Sequence, residues 1–533
     1  MNALDNMLQN HIGRKELYTD VERVTAENIL KVMQENAPYF TVNAQDCQKL
    51  IDYESGIQPL QRKKPKKFRP DIDFECCDNV AAEVTQFNLG FKWGYPITLV
   101  QRGELDSGND AEVDAISKLN EMYFADGINA KTQQLGRFTE VTGTGYTIVE
   151  MNLDADLEEG ESLFKVSVLD PRTTFVIRSS RYVDRRVMVA GTFREDNSGN
   201  ILFTCFTPEQ RFEILNGYSI VNGKKSTERD LWVEGNRSGE ANPLGVIPIV
   251  EWFLSYDRQG CFERQISAMN TLNLMLSDLA NDIDQNTQCV WHTNDVDFVD
   301  EENADGTVST STPTSGDWVQ TFTSPDGKTP FIKPLTLDYD YNGMLQNYLT
   351  QRGLVLQKCN VPQRNDNSGG STGIAMDTAS GWSAAEAVAC AQQNIIETCK
   401  LQEVRIVLRA IKRNPKTPAD SPLLKLRAMD IKPTVRRQKS YELAVKTSSL
   451  SSMIASGIYG KHAIDTVNLF DDPNQVWADS ESLIAKHQDK LFGAEERVEE
   501  IAKSENITSD NPIAQIANSP LIDGMSREKP IEE

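Results

Sequence analysis

The sequence predicts an α+β fold, and three patterns carry that reading. Between Phe262 and Gln288, apolar residues return every three or four positions (Phe262, Ile266, Met269, Leu272, Leu276, Leu279, Ile283), the spacing of one helix of about seven turns. From Tyr146 onward the period drops to two, in TIVEM, LFKVSVL, TTFVIRS, RVMVAGTF, ILFTCF and QRFEIL. Residues 363–373, QRNDNSGGSTG, form a polar loop without one hydrophobic residue, set between amphipathic segments at roughly 341–359 and 378–413. A compact chain seldom leaves so long a loop bare unless the loop has a task.

Taken in order, residues 1–60 read as mostly helical, with TAENILKVMQENAPYF opening on a Thr25 cap. Six of the eight residues from Arg62 to Arg69 are basic, which marks a solvated loop or a contact with phosphate or an acidic neighbour. Residues 73–92 form an amphipathic helical pattern, followed by the turn WGYP and a strand ITLVQ. Two helices fill 110–142, broken near Gly127. The strands that follow are separated by turn signals such as Asn216-Gly217 and Asn222-Gly223. DADLEEGES (154–162) holds five carboxylates but lacks the order of a calcium loop, so it reads as an exposed hairpin tip. NPLGVIPIVEW (242–252) is extended. The long helix after it carries Asp278 and Asp282 one turn apart, away from its apolar face.

Residues 289–335 are rich in Thr, Ser and turns, a small β-containing insertion between two helices, the second resuming near Tyr341. After the bare loop, WSAAEAVACAQQNIIETCKLQEVRIVLRAIKRN continues helical for about nine turns, and its alanines permit close helix packing. From Glu403 to Lys439 there are 11 Lys/Arg against three Asp/Glu, an extended basic zone in an acidic chain. DIKPTVRR is strand-like, two or three helices span about 440–503, and the end of the chain is polar and acidic.

Composition narrows the function. A net charge of −23 opposes a surface that grips nucleic acid, yet suits a wall past which nucleic acid slides. No apolar run reaches the roughly 18 residues of a membrane span, and the N-terminus lacks a signal-peptide pattern. The nine cysteines are scattered without C-x-x-C, which predicts reduced thiols. The four histidines are too dispersed for a metal site, so neither metal nor cofactor is expected. ASGIYGKH (455–462) fails as a phosphate loop because Ala455 replaces the first glycine and His462 the hydroxyl residue. The G-x-G of VTGTGYT precedes a strand rather than a helix, and the G-x-S-x-G around Ser371 has no apolar strand before it. The expectation is therefore a non-enzyme.

The order helix, insertion, helix, bare loop, long alanine-rich helix resembles the portal proteins of tailed bacteriophages, in particular long-tailed phages of Gram-positive bacteria. NPLGVIPIVEWFLSYDRQGCFERQISAMNTLNLMLSDLANDIDQ, NVPQRNDNSGGSTGIAMD, LAVKTSSLSSMIASGIYGKHAIDTVNLFDDPNQVWADSES and LGRFTEVTGTGYTIVEM carry the likeness, over roughly 70–480.

The resemblance implies a portal fold. It would comprise a mixed α/β wing (1–255), a stem helix (256–288), a clip (289–336) and a second stem helix (337–359). A tunnel loop (360–377), a long helix with the rest of the wing (378–439), an α-helical crown (440–503) and an acidic tail (504–533) would follow. It implies a ring of about a dozen copies at one vertex of a virion, assembled in the host bacterial cytoplasm, with double-stranded DNA passing through its channel. The major capsid protein, a scaffolding protein, the large terminase subunit and a head–tail adaptor would be partners, and no membrane. In that frame Arg364, Asn365, Asp366, Asn367, Ser368, Gly369 and Gly370 would face DNA. Asp278 and Asp282 would line the tunnel, and Trp291, Asp317 and Trp318 would belong to the clip's docking surface. The basic zone would pair with neighbouring subunits or meet DNA. The alternatives are another phage head–tail or capsid-assembly structural protein, and a nucleic-acid enzyme built on clustered carboxylates.

Overall fold

A computed structural model describes residues 13–59, 72–102, 110–287 except a few loop positions between 182 and 237, 290–294, 300–302, 308–310, 330–335, 340–362, 381–437, 442–467 and scattered positions to 483. The chain divides into two compact units, Met1–Pro96 with Glu121–Ala428, and Ile97–Asn120 with Met429–Glu533.

The first unit is built around a seven-stranded sheet. Strands β5 (Thr174–Ser179), β6 (Val187–Glu195), β7 (Ile201–Phe206) and β8 (Gln210–Gly217) run as an antiparallel meander. Strand β1 (Leu17–Thr19) adds in parallel beside β5, and β11 (Leu231–Glu234) and β12 (Glu240–Ala241) both pair antiparallel with β8. The period-two alternation sends Phe203, Cys205, Phe212 and Ile214 to one face, where they meet Met33 and Phe40 of helix α1 (Ile29–Glu54). The opposite face carries Val176 and Ala190. These pack on Tyr146, Ile148 and Ile249 of a second, three-stranded sheet, β13 (Ile249–Phe253), β3 (Thr144–Met151) and β4 (Phe164–Leu169). The acidic segment 154–162 forms the turn between β3 and β4, as its composition predicts.

Two local expectations need correction. Helix α1 begins at Ile29, with Asn28 and not Thr25 at its cap position; the Asn28 carboxamide turns back to accept from the Thr25 N–H at 2.8 Å. The helical pattern read from residue 73 holds only from Val80, where α2 (Val80–Trp93) starts behind an Asn79 cap that accepts from the Ala82 N–H. Residues 73–79 are extended instead.

Helices α3 (Asp110–Ala125) and α4 (Ile128–Thr142) are separated at Gly127 (φ 71°), the expected break. Gly143 (φ 77°) ends α4, and a Cβ there would stand 2.3 Å from the Arg258 carbonyl oxygen. Gly143 therefore serves a close backbone approach, and Gly145 leaves room for the Thr139 and Leu135 side chains.

Helix α7 (Trp382–Arg413) packs on β3 and β13, as the predicted nine-turn helix. Its buried Glu403 accepts from Lys400 Nζ (2.6 Å), Thr147 Oγ1 (3.0 Å) and Tyr123 OH (3.3 Å). Burial, with Glu403 beside it, pushes the Tyr123 phenol well above its ordinary pKa. Beyond the helix end, Asn414 Nδ2 donates to the carbonyls of Asn152 and Leu163.

The second unit joins distant stretches. Strand β2 (Thr98–Gln101) pairs antiparallel with β18 (Ile431–Thr434), and Asn120 both donates to and accepts from the Leu99 backbone. Helices α8 (Glu442–Ala455) and α9 (Gly460–Val467) follow. The failed phosphate loop is the turn between them. Gly460 lies under Trp477, and Tyr459 packs on the same indole with ring centroids 5.0 Å apart, so aromatic rings fill the space a phosphate would need. The described cysteines are free thiols, and no described helix is long and apolar enough to cross a membrane.

Candidate functional site: paired helices and the loop they lead to

The chain runs out along α5 (Ile266–Thr287) and back along α6 (Tyr341–Lys358), which pack on one another. Their far ends connect through the antiparallel pair β14 (Val290–Asn294) and β17 (Phe331–Leu335), with a second small pair, β15 (Asp300–Glu302) and β16 (Val308–Thr310). The insertion is β-containing, as its composition predicts. At the near end, Phe262, Met269 and Leu272 share a core with Val355 and Leu356 of α6 and Tyr53 of α1.

The junction into α5 is fixed by charge. Arg258, at φ 52° despite its side chain, reaches Glu251 Oε1 (2.7 Å) and Glu16 Oε1 (2.5 Å), and Arg178 holds the other Glu251 oxygen at 2.6 Å. Burial alone would raise the Glu251 pKa, but Arg258 and then Arg178 outweigh it and hold the carboxyl below its ordinary value. Glu263, in the turn opening α5, pairs with buried Arg14 at 2.5 Å and accepts from the Gly260 N–H.

A feature hidden from sequence reading grips the flank of α5. Asn273, Ser277 and Asn281, each fully or nearly buried, stand at i, i+4 and i+8. They bond the backbone of the extended strap 73–79. Asn281 accepts from the Phe74 N–H (2.8 Å) and donates to its carbonyl (3.0 Å). Ser277 bonds the Cys76 N–H (2.9 Å) and C=O, and Asn273 accepts from the Asp78 N–H (2.9 Å). Four helical residues rise about 6.0 Å and two extended residues about 6.6 Å, so every rung meets every second strap residue. The helix thus acts as the strap's sheet partner. Polar residues at apolar spacing, N-x-x-x-S-x-x-x-N, are its one local signal.

At the strap's end, Asp78 accepts from Arg352 Nε of α6 (2.8 Å) and from the Tyr348 hydroxyl, while Arg352 also pairs with Glu83 of α2. This network ties the returning helix to the strap and to α2.

Of the residues singled out from sequence, Asp278 is exposed and Asp282 half-buried, one turn apart on α5 and turned about 100–140° from Ser277, the middle rung, by helical geometry. Five large apolar side chains on the same two helices are open to solvent: Leu274, Ile283, Leu345, Leu349 and Leu354, at 39–50% exposure. Trp291 lies in β14 opposite Pro334; its side chain, with Asp317 and Trp318, falls outside the described residues. The described tip side chains include His292, edge-on to Phe331 at 5.2 Å, with Lys333 over the same ring.

Arg364, Asn365, Asp366, Asn367, Ser368, Gly369 and Gly370 also fall outside the described residues, as does the basic run 62–69. Both stems of that loop are well defined. Asn360 (φ 58°) follows α6 in the left-handed region, with Val361 N–H bonded to the Leu356 carbonyl and Asn360 N–H to that of Gln357, a Schellman cap. Gly381 (φ 85°) stands at the cap position of α7. Among the described residues no group of His, Cys, Asp and Glu could hold a metal ion.

A family model described as "Phage portal protein, SPP1 Gp6-like" matches residues 78–438, from the strap's end through both paired helices, the loop and α7 to just past β18. No curated protein matches the chain. One similar solved chain comes from a structure titled "Virion of native gene transfer agent (GTA) particle". It is 11% identical, with 80% of this chain and 94% of that one covered and a TM-score of 0.37.

Proposed function

This chain belongs to the family of phage portal proteins, and we propose that copies of it close into a ring at one capsid vertex, forming the conduit for double-stranded DNA during packaging and ejection. The observation that carries this reading is the family match, which runs through the helix pair, its tip and the loop without a break. A portal protein is a structural component of a virion rather than an enzyme.

In this reading α5 and α6 form the stem of the ring. Their exposed leucines and Ile283 are surfaces that a neighbouring stem would cover, whereas water covers them in a lone chain. Asp278 and Asp282, on the face away from the strap, give the channel a wall that repels phosphate, so DNA slides without sticking. The hairpin tip beyond α5 docks the packaging terminase and later the head–tail adaptor. The loop between Asn360 and Gly381 reaches the duplex with small polar side chains, touching backbone and not reading bases. Energy for movement comes from a separate ATPase, since the chain's only approach to a phosphate loop lacks its key residues.

Negative-stain imaging of the purified protein tests the ring. Closed rings with a central channel are expected, and monomers or open filaments at every salt concentration would refute it. Deleting Asn365–Gly370 should leave rings intact but impair packaging or genome retention; normal packaging would remove the loop from the mechanism.

A further inference from the structure

The cations of α7 and the segment after it differ in one respect. Lys400 is buried against Glu403, and Lys412, Arg413 and Lys416 donate to the carbonyls of Leu426, Pro243 and Ala155. Arg405 and Arg409 are exposed, and no described residue pairs with either guanidinium. They stand one turn apart, on the side of the helix opposite the fully buried Val407 and Ile411. Two like charges at that spacing disfavour a helix. The chain has a net charge of −23, yet none of its described carboxylates pairs with them.

The opposite imbalance lies on the β3–β4 turn. Asp154, Asp156, Glu158, Glu159 and Glu161 are all exposed, and none forms an ion pair among the described residues. The turn is ordered. Asp156 Oδ1 accepts from the Glu158 N–H (2.9 Å), the Asp156 N–H bonds Glu161 Oε2, Gly160 takes φ 79°, and Lys416 anchors Ala155.

We propose that these patches are the two halves of one contact between successive copies: Arg405 and Arg409 of one copy receive the acidic turn 154–161 of the next. The inference rests on the ring reading above. A closed ring needs a heterologous contact, in which two different surfaces of each copy match head to tail, and a cationic stripe with an acidic turn is such a pair. A guanidinium pair also suits phosphate. The neighbour's turn presents compact, fixed carboxylates that Arg binds bidentately.

Charge reversal tests the contact. One variant carries Arg405→Glu with Arg409→Glu, the other Asp154→Lys with Glu158→Lys and Glu159→Lys, which leaves two carboxylates beside three ammoniums on the turn. All five positions are exposed, and far-UV circular dichroism confirms that each variant folds. Each variant alone should require a concentration about tenfold or more higher than the native chain to form rings, because like charges now face each other. An equimolar mixture should recover ring formation, with both variants alternating in one ring by native mass spectrometry, since each reversed patch then meets an opposite one. Rings from either variant alone that match the native would overturn the contact, as would a folded mixture that stays unassembled. Intact rings with weakened DNA retention in the Arg variant would assign the stripe to DNA and overturn it too. Absence of rings from the native chain would instead overturn the ring reading, and this contact with it.

Discussion

Replacing Asn281 with leucine should release the strap 73–79 from α5 at its Phe74 rung. The side chain is completely buried, and it both accepts from the Phe74 N–H and donates to the Phe74 carbonyl. Leucine preserves the volume but offers neither function. Each backbone group left without a partner costs about 1–3 kcal/mol when sealed from water. Phe74 is 51% exposed, so water takes up part of the loss and the lower end applies, about 2 kcal/mol for the pair. Leucine is the better helix former by about 0.5 kcal/mol, which offsets some of this. The net, about 1.5 kcal/mol, corresponds to a roughly tenfold increase in strap opening.

Amide hydrogen exchange resolved over the strap reads that opening directly. Exchange should rise about tenfold at Phe74 and Cys76, while the internal amides of α5 keep their protection. Ser277→Ala should produce a similar but smaller effect centred on Cys76. If a folded Asn281→Leu protein exchanges at the native rate, the strap is held by its flanking contacts, such as buried Ile72 and the Asp78–Arg352 pair, and the ladder argument is wrong.

Glu403→Leu should destabilise the first unit by about 3–5 kcal/mol, because it strands the buried Lys400 ammonium without a counter-charge. Chemical denaturation measures this, and Glu403→Gln, which keeps an acceptor, should lose less. The two Glu251 partners predict an acid limb of stability. With its pKa held below the unfolded value of 4.5, Glu251 contributes fully above that pH and loses its contribution as pH falls through its folded value. Glu251→Gln should flatten that limb in thermal melts. The sign reverses at the alkaline end. Burial pushes the Cys359 thiol up to about 11, so its contribution is complete below its ordinary 9.0 and fades as pH rises towards 11, which Cys359→Ala should abolish.

What sequence reading could see was whatever repeats locally. Alternation in ILFTCF and QRFEIL marks strands because Phe203, Cys205, Phe212 and Ile214 share a buried face. The three-and-four spacing of Met269 and Leu272 marks α5 for the same reason. The strap escaped because DFECCDN merges into the periodicity of α2, and its partner is a polar stripe 200 residues away. Nothing local in Asn273, Ser277 or Asn281 distinguishes a buried backbone clasp from a solvated face. β1 escaped because a three-residue strand has no period, and its pairing with β5 lies 160 residues on. Of the residues that the proposed channel would use, Asp278 and Asp282 were visible as an acidic stripe. The apolar exposure of Leu345 and Leu349 was not, since periodicity places them with the core, and only packing reveals that the described residues leave them partly uncovered.

The pairing of β2 with β18 also sets a schedule. Strand β2 ends at Gln101 and its partner begins at Ile431, so 330 residues must emerge before the first strand finds the second. At about 5–20 residues per second this is a wait of about 17–66 s. During that time the four-residue edge Thr98–Gln101 has no native partner, and other nascent chains of the same protein lie nearby on the message. Its brevity is a safeguard, since a strand of four residues is a poor template for a wrong partner. The second unit therefore closes only after the whole first unit has been made, so assembly that depends on it cannot run ahead of synthesis.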